Sequence, residues 1–169
     1  RASKQAAEII IEAYGDSFGL NYTLLRYGSL YGPRAQDWNS LRGYVRQIIE
    51  EGRLSYSGTG AERREYIHVC DAARLSVDVL GDQHSNQAIT VTGTQVLNSR
   101  DLVDMIFEIV GKKSDVVFSE SDGSTAHYRV TPYRYSPRQA KKLVPSEFID
   151  LGQGILDLCE EIAAIGESD

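Results

Sequence analysis

What most constrains this chain is the way short β-favouring runs alternate with helical stripes along its length. Tyr22 to Tyr27 ("YTLLRY") is an apolar, aromatic run of the kind that forms a buried strand, and Gly32-Pro33 ends the segment that follows it. Leu41, Tyr44, Val45, Ile48 and Ile49 then recur at helical spacing until Gly52. "AITVTG" predicts another strand. Ser99 is expected to cap a helix running through Val110, with Gly111 just past its end, and Asp115 to Phe118 forms a further strand. A last helix carries Ile155, Leu158, Cys159 and Ile162. Strands separated by helices of roughly ten residues or more specify an α/β class with parallel neighbours.

The local signals between these elements are more particular. Ala6, Ile9, Ile10 and Ala13 draw an amphipathic helix near the start, with Gly15 where a C-terminal cap belongs. No capping residue precedes that helix, so the sequence reads as one entered partway through a helix. "LSYSGTGAERREYIHVCD" predicts two short strands around a Gly58-Thr59-Gly60 turn with a charged tip, and Asp71 is placed to cap a helix reaching about Leu80. Ser136-Pro137 has the form of a helix start. From Ser119 to Tyr135 the chain reads as a long polar loop, a length usually functional or disordered. No repeat, low-complexity tract or linker divides the 169 residues.

Acidic residues outnumber basic ones 24 to 18, a net charge of −6, which argues against a nucleic-acid or anionic-membrane partner. Thirteen of the basic residues are Arg and five are Lys, a bias suited to planar recognition of phosphate. Cys70 and Cys159 lie far apart among apolar neighbours and are expected to be free thiols in a cytoplasmic setting. No apolar run approaches the length of a membrane span, and no metal site is expected.

Three stretches together resemble the extended short-chain dehydrogenase/reductase family, in particular its NAD-dependent nucleotide-sugar epimerases and dehydratases. Ser3-Lys4 with Glu8 is similar to the end of the family's Y-x-x-x-K motif and the helix it opens. "LRYGSLYGPR", Leu25 to Arg34, resembles the family's "LRYFNVYGPR". "GTGAERREYIHVCDAA", Gly58 to Ala73, resembles "GDGTxxRDYIHVxDxA". Counted back from Lys4, the family's catalytic tyrosine falls immediately before Arg1. The Gly-rich dinucleotide turn would fall far upstream. The resemblance therefore implies the C-terminal part of a Rossmann-type enzyme with its smaller α/β substrate-binding domain. On that reading, residues 1–34 finish the Rossmann-like core, and residues 35–169 form mainly the substrate-binding region, with about 65–95 returning to the core.

The resemblance implies a nucleotide-diphosphate sugar as substrate, NAD or NADP as cofactor of the parent enzyme and a homodimeric parent. It also implies that the fragment alone is inactive and holds no cofactor. Lys4 is the implied catalytic and cofactor-binding lysine, since a cation one turn from a tyrosine favours the phenolate. Tyr27 is implied at the nicotinamide, Ser29 at the sugar and Tyr56 at the nucleotide base, with Arg64 on the diphosphate. Arg129 and Arg134, in the polar loop, are both candidates for a further phosphate contact. Gly28-Ser29 departs from the family's Phe-Asn, which leaves the sugar open. Lys4 read by itself is a solvated lysine, Tyr56 a core residue, and Arg64 a salt-bridged tip flanked by Glu62 and Glu65. His68 falls on a strand and is read as structural. Two other functions stay open: a family reductase acting on a non-nucleotide substrate, and a non-catalytic binding or regulatory member of the fold.

Overall fold

The computed structural model describes residues 2–119 and 140–166. The expected helix at Ser136-Pro137 and the candidates Arg129 and Arg134 lie outside the described residues. Helix α1 (Ala2–Phe18) leads into β1 (Thr23–Tyr27) and β2 (Ser29–Tyr31), then α2 (Ser40–Glu51). Three short strands follow, β3 (Leu54–Ser57), β4 (Arg63–Arg64) and β5 (Tyr66–His68), and then α3 (Val69–Asp78). Strands β6 (Gln87–Val91) and β7 (Leu97–Asn98) precede α4 (Ser99–Val110), β8 (Val116–Ser119), β9 (Lys141–Leu143) and α5 (Leu151–Gly166). The α/β class with parallel neighbours holds. A parallel sheet runs in the order β1-β6-β9, beside two parallel pairs, β2–β5 and β3–β8, and one antiparallel pair, β4–β7.

Two hydrophobic clusters organise these elements. The larger joins Leu41, Val45 and Ile48 of α2, Leu102, Val103, Ile106 and Phe107 of α4, and Ile155, Leu158 and Ile162 of α5, with Tyr31, Leu54 and Tyr56 from the strands. The stripes read from the sequence for α2 and α5 are thus two of the faces that meet, and α4 supplies the third. The smaller cluster holds Ile67, Ala72, Leu75, Val79, Ile89 and Val91, joining β5, α3 and β6. An ion pair of Arg42 with Glu161, 2.7 Å, ties α2 to α5 at the edge of the larger cluster.

Several local readings change. The first helix runs through Gly15 to Phe18, and Gly19, at φ +64°, is its left-handed terminator, its amide donating to the Gly15 carbonyl. Its apolar stripe faces away from the chain, with Ile9 65% and Ile10 57% exposed. The side turned inward carries Glu8, which holds Arg26 of β1 through two hydrogen bonds of 2.8 and 2.6 Å. The expected hairpin around Gly58-Thr59-Gly60 does not form. Strand β3 pairs with β8 and β4 with β7, because the alternating burial of β3 seats Leu54 and Tyr56 in the larger cluster beside Val116 and Phe118. The charged tip is largely inside: Glu62 is 8% and Glu65 6% exposed. His68, not Asp71, caps α3, its Nδ1 accepting from the Cys70 amide. Asp71 lies three residues further on, inside the helix, paired with Arg74 and accepting the Ile149 amide. Asn98, one residue before Ser99, caps α4 by accepting the Asp101 amide, while Gly111 ends that helix at φ +72° as expected.

Candidate functional site

Strand β2, the start of α2, and strands β3 to β5 surround an open cleft of about 360 Å³. That volume lies in the range of small-molecule sites. A smaller space beside His68 and Asp71 holds about 30 Å³, room for roughly one water. The cleft is built from one side by β2, where Gly28 and Ser29 form its wall. The backbone is crowded at that point: a side chain on Gly28 would stand 2.5 Å from the Thr92 Oγ1, so a residue of ordinary size cannot stand there without displacing β6's exit. The Ser29 amide is held by the Glu65 carbonyl at 2.9 Å, which fixes the serine at the wall.

Beside it stands the first turn of α2. Asn39 caps it, accepting the Arg42 amide at 3.2 Å and donating from Nδ2 to the Leu30 carbonyl at 3.0 Å. Trp38, Ser40 and Leu41 reach the cleft from this turn. A helix start of this kind directs free amide hydrogens and a positive dipole end outward.

The floor is aromatic. Tyr44, Tyr56 and Tyr66 line it, with Tyr44 and Tyr56 ring centroids 5.4 Å apart. Tyr56 is only 5% exposed, and its hydroxyl donates to Ser99 Oγ at 2.6 Å. Burial raises all three phenols above their ordinary value, pushing Tyr44 up to about 12, with the neighbouring Tyr56 adding to the effect there. These tyrosines stay protonated at neutral pH. They can donate hydrogen bonds and stack, but they do not serve as bases.

Arg64 of β4 closes the remaining side. Its Nη1 donates to the Arg63 carbonyl at 2.9 Å, and no acid pairs with it among the described residues. Both flanking glutamates are engaged elsewhere. Glu62 accepts from the Thr59 amide, the Thr59 hydroxyl and the Gly60 amide at 2.8 to 2.9 Å, and Glu65 pairs with Lys142 at 2.9 Å. Of the residues singled out in the sequence, the structure brings Ser29, Tyr56 and Arg64 to one cleft. Lys4 and Tyr27 are not among its lining residues. Lys4 is exposed on α1, and Tyr27 ends β1 with its hydroxyl 2.6 Å from Ser76 Oγ. Trp38 and Asn39 were not singled out in the sequence, Tyr44 stood there only in the α2 stripe, and Tyr66 only inside the Gly58–Ala73 motif. For Asn39 a signal existed: an Asn directly before a helical stripe is a capping position.

Among the described residues no group of three or more His, Cys, Asp or Glu side chains could hold a metal ion, and no helix is long and apolar enough to cross a membrane. The described residues also contain no strand, Gly-rich turn and helix of the kind that cradles a dinucleotide's pyrophosphate. A three-stranded parallel sheet and two further parallel pairs, set among five helices, define the α/β class. Residues 1–93 match the model of the NAD dependent epimerase/dehydratase family. The chain belongs to that family.

Individual relatives are similar at lower identity. An uncharacterized UDP-glucose epimerase, YtcB, of Bacillus subtilis is 25% identical over 119 residues, covering 70% of this chain and 38% of its own length. A putative UDP-glucose 4-epimerase of Methanocaldococcus jannaschii is 25% identical over 157 residues, 90% of this chain and 49% of its own. Among solved structures, a UDP-glucuronic acid 4-epimerase from Bacillus cereus, in complex with a fluorinated UDP-glucuronic acid and NAD, superposes with a TM-score of 0.82. That match covers 97% of this chain and 52% of the other at 20% identity. A dTDP-glucose 4,6-dehydratase from Bacillus anthracis, in complex with NAD, gives 0.77 over 98% and 52%. At such identities the structural likeness establishes the fold. The chain spans about half the length, or less, of the relatives it matches.

Proposed function

We propose that this chain is the C-terminal, substrate-holding part of an NAD(P)-dependent nucleotide-sugar epimerase or dehydratase, and that its cleft takes the nucleotide-diphosphate sugar. The observation that carries this reading is Arg64. A guanidinium in the wall of a cleft, without an acid among the described residues, offers its fork to a ligand's phosphate, and the start of α2, whose Ser40 and Leu41 line the same cleft, adds amide donors. A reductase of a non-nucleotide substrate would have no use for this pair. In the proposed arrangement Ser29 donates to or accepts from a sugar hydroxyl, and the edge of Tyr56 lies under the nucleotide.

The nicotinamide cofactor supplies the hydride chemistry when bound. This chain's part is to hold and orient the sugar. The described residues provide no pyrophosphate cradle, so Lys4 and Tyr27 are proposed only for the nicotinamide end. The chain by itself is proposed to be inactive. Its two hydrophobic clusters support the division into a core part and a substrate part, with β5, α3 and β6 on the core side. The outward apolar face of α1 supports a homodimeric parent, and two free cysteines fit a cytoplasmic location.

The test is calorimetric titration of the chain with UDP. Arg64→Ala is expected to weaken binding by roughly 10- to 100-fold, the equivalent of a charge-assisted contact worth about 1.5–3 kcal/mol. Arg64→Lys should recover part of this, because the charge stays and the fork is lost. Equal affinity for wild type and Arg64→Ala would refute the assignment.

A further inference from the structure

Trp38, the chain's single tryptophan, is 84% exposed, the most exposed of the large hydrophobic side chains among the described residues. Burying an indole removes about 150–250 Å² of apolar surface from water, so leaving one out forgoes a large stabilisation. A loose loop would explain such exposure, but both neighbours of Trp38 are tied down. Asp37 pairs with Arg46 at 3.0 Å. Asn39 is bonded to the Arg42 amide on one side and the Leu30 carbonyl on the other. The backbone therefore presents the indole at a fixed place, and that place is the mouth of the cleft.

The Asn39–Leu30 bond also ties the turn that carries Trp38 to the Ser29 strand. It attaches the turn to β2 one residue after Ser29, while Arg64 belongs to another strand. A flat, apolar, unpartnered surface near Ser29 suits the C–H face of a pyranose ring. We infer that Trp38 is a sugar-binding residue, its indole lying against the hexose of the bound nucleotide sugar and shielding it from water. This rests on the nucleotide-sugar reading above. It adds a determinant of sugar affinity outside the three motifs that marked the family.

The experiment compares UDP with UDP-glucose on the wild-type chain and on Trp38→Ala and Trp38→Phe, by calorimetry and by tryptophan emission. Trp38→Ala is expected to weaken UDP-glucose roughly 5- to 30-fold and UDP less than about 2-fold, with Trp38→Phe between wild type and Ala. Emission of the wild type should shift with UDP-glucose at the calorimetric midpoint and stay unchanged with UDP. Thermal melts of the variants should match wild type, since the exposed indole holds little of the fold together. Equal weakening of both ligands would place the indole on the nucleotide and overturn the inference. Unchanged affinities, or UDP-glucose binding without an emission response, would also overturn it, and in those cases the Arg64 result still stands. Failure of both ligands to bind the wild type would remove the nucleotide-sugar reading and this inference with it.

Discussion

Glu62→Gln is the substitution whose effect the structure fixes most closely. In the wild type, Oε1 accepts from the Thr59 amide and hydroxyl at 2.8 and 2.9 Å, and Oε2 accepts from the Gly60 amide at 2.9 Å. A glutamine keeps one acceptor for Thr59 but turns an NH₂ toward the Gly60 N–H, donor against donor in a buried place. Losing one charge-assisted bond and orphaning one amide costs about 2–3 kcal/mol. For a chain of this size that lowers Tm by roughly 5–10 °C. Acidity supplies an internal control. Burial works against the charged form of Glu62, but the amide and hydroxyl bonds outweigh it and hold the carboxyl below its ordinary value. The folded pKa is depressed, so its stabilisation is full above the ordinary glutamate value and is lost as pH falls through the folded one. The gap between wild type and Glu62→Gln, read by circular dichroism melts, should narrow on acidification below about pH 4.5. A Tm within about 1 °C of wild type at pH 7, or a gap that does not change in acid, would refute the reasoning.

Phe107→Ala, at a site 1% exposed in the larger cluster, should cost about 3–5 kcal/mol, measurable as a lower urea midpoint. His68 carries a separate pH dependence. Burial lowers its pKa against the opposing pull of Asp71 and Asp157, with Arg74 lowering it further. The unfolded chain then binds the extra proton first, so stability falls as pH drops below about 6.5. His68→Asn keeps an acceptor for the Cys70 amide and should flatten that part of the stability profile between pH 7.5 and 5.5, measured by urea denaturation.

Elements were legible where one physical signal decided them. Helix α2 declared itself through an apolar stripe, and both α2 and α4 through a glycine that takes the left-handed conformation, Gly52 at φ +73° and Gly111 at φ +72°. Their starts were less legible, because Asn98 and Ser99 are both competent caps and only the backbone angle at Asn98 separates them. Strand partners were not legible. The alternation in "LSYS" says which residues of β3 face inward and nothing about whether β8 lies beside it. The run around Glu62 misled for a different reason: charge reads as exposure, yet three local donors make a buried carboxylate tolerable. In the cleft, Arg64 stood in a recognisable motif, whereas Trp38 and Tyr44 belong to no motif and acquire meaning only once α2 is docked against β2.

Every ladder among the described residues joins strands that are not neighbours in sequence: β1 with β6, β6 with β9, β2 with β5, β3 with β8 and β4 with β7. None of these ladders is a hairpin that could start a sheet cheaply. The closure entropy of a long loop must be met before the first strand pair yields anything in return. Helices, which need only local contacts, are then the first structure to persist, and the strands are the last to find partners. During that interval Val116, Val117 and the apolar side of β1 stand as unpaired β-favouring segments. The order of assembly imposed by this topology makes the chain's solubility during synthesis a kinetic matter, set by how quickly distant strands meet.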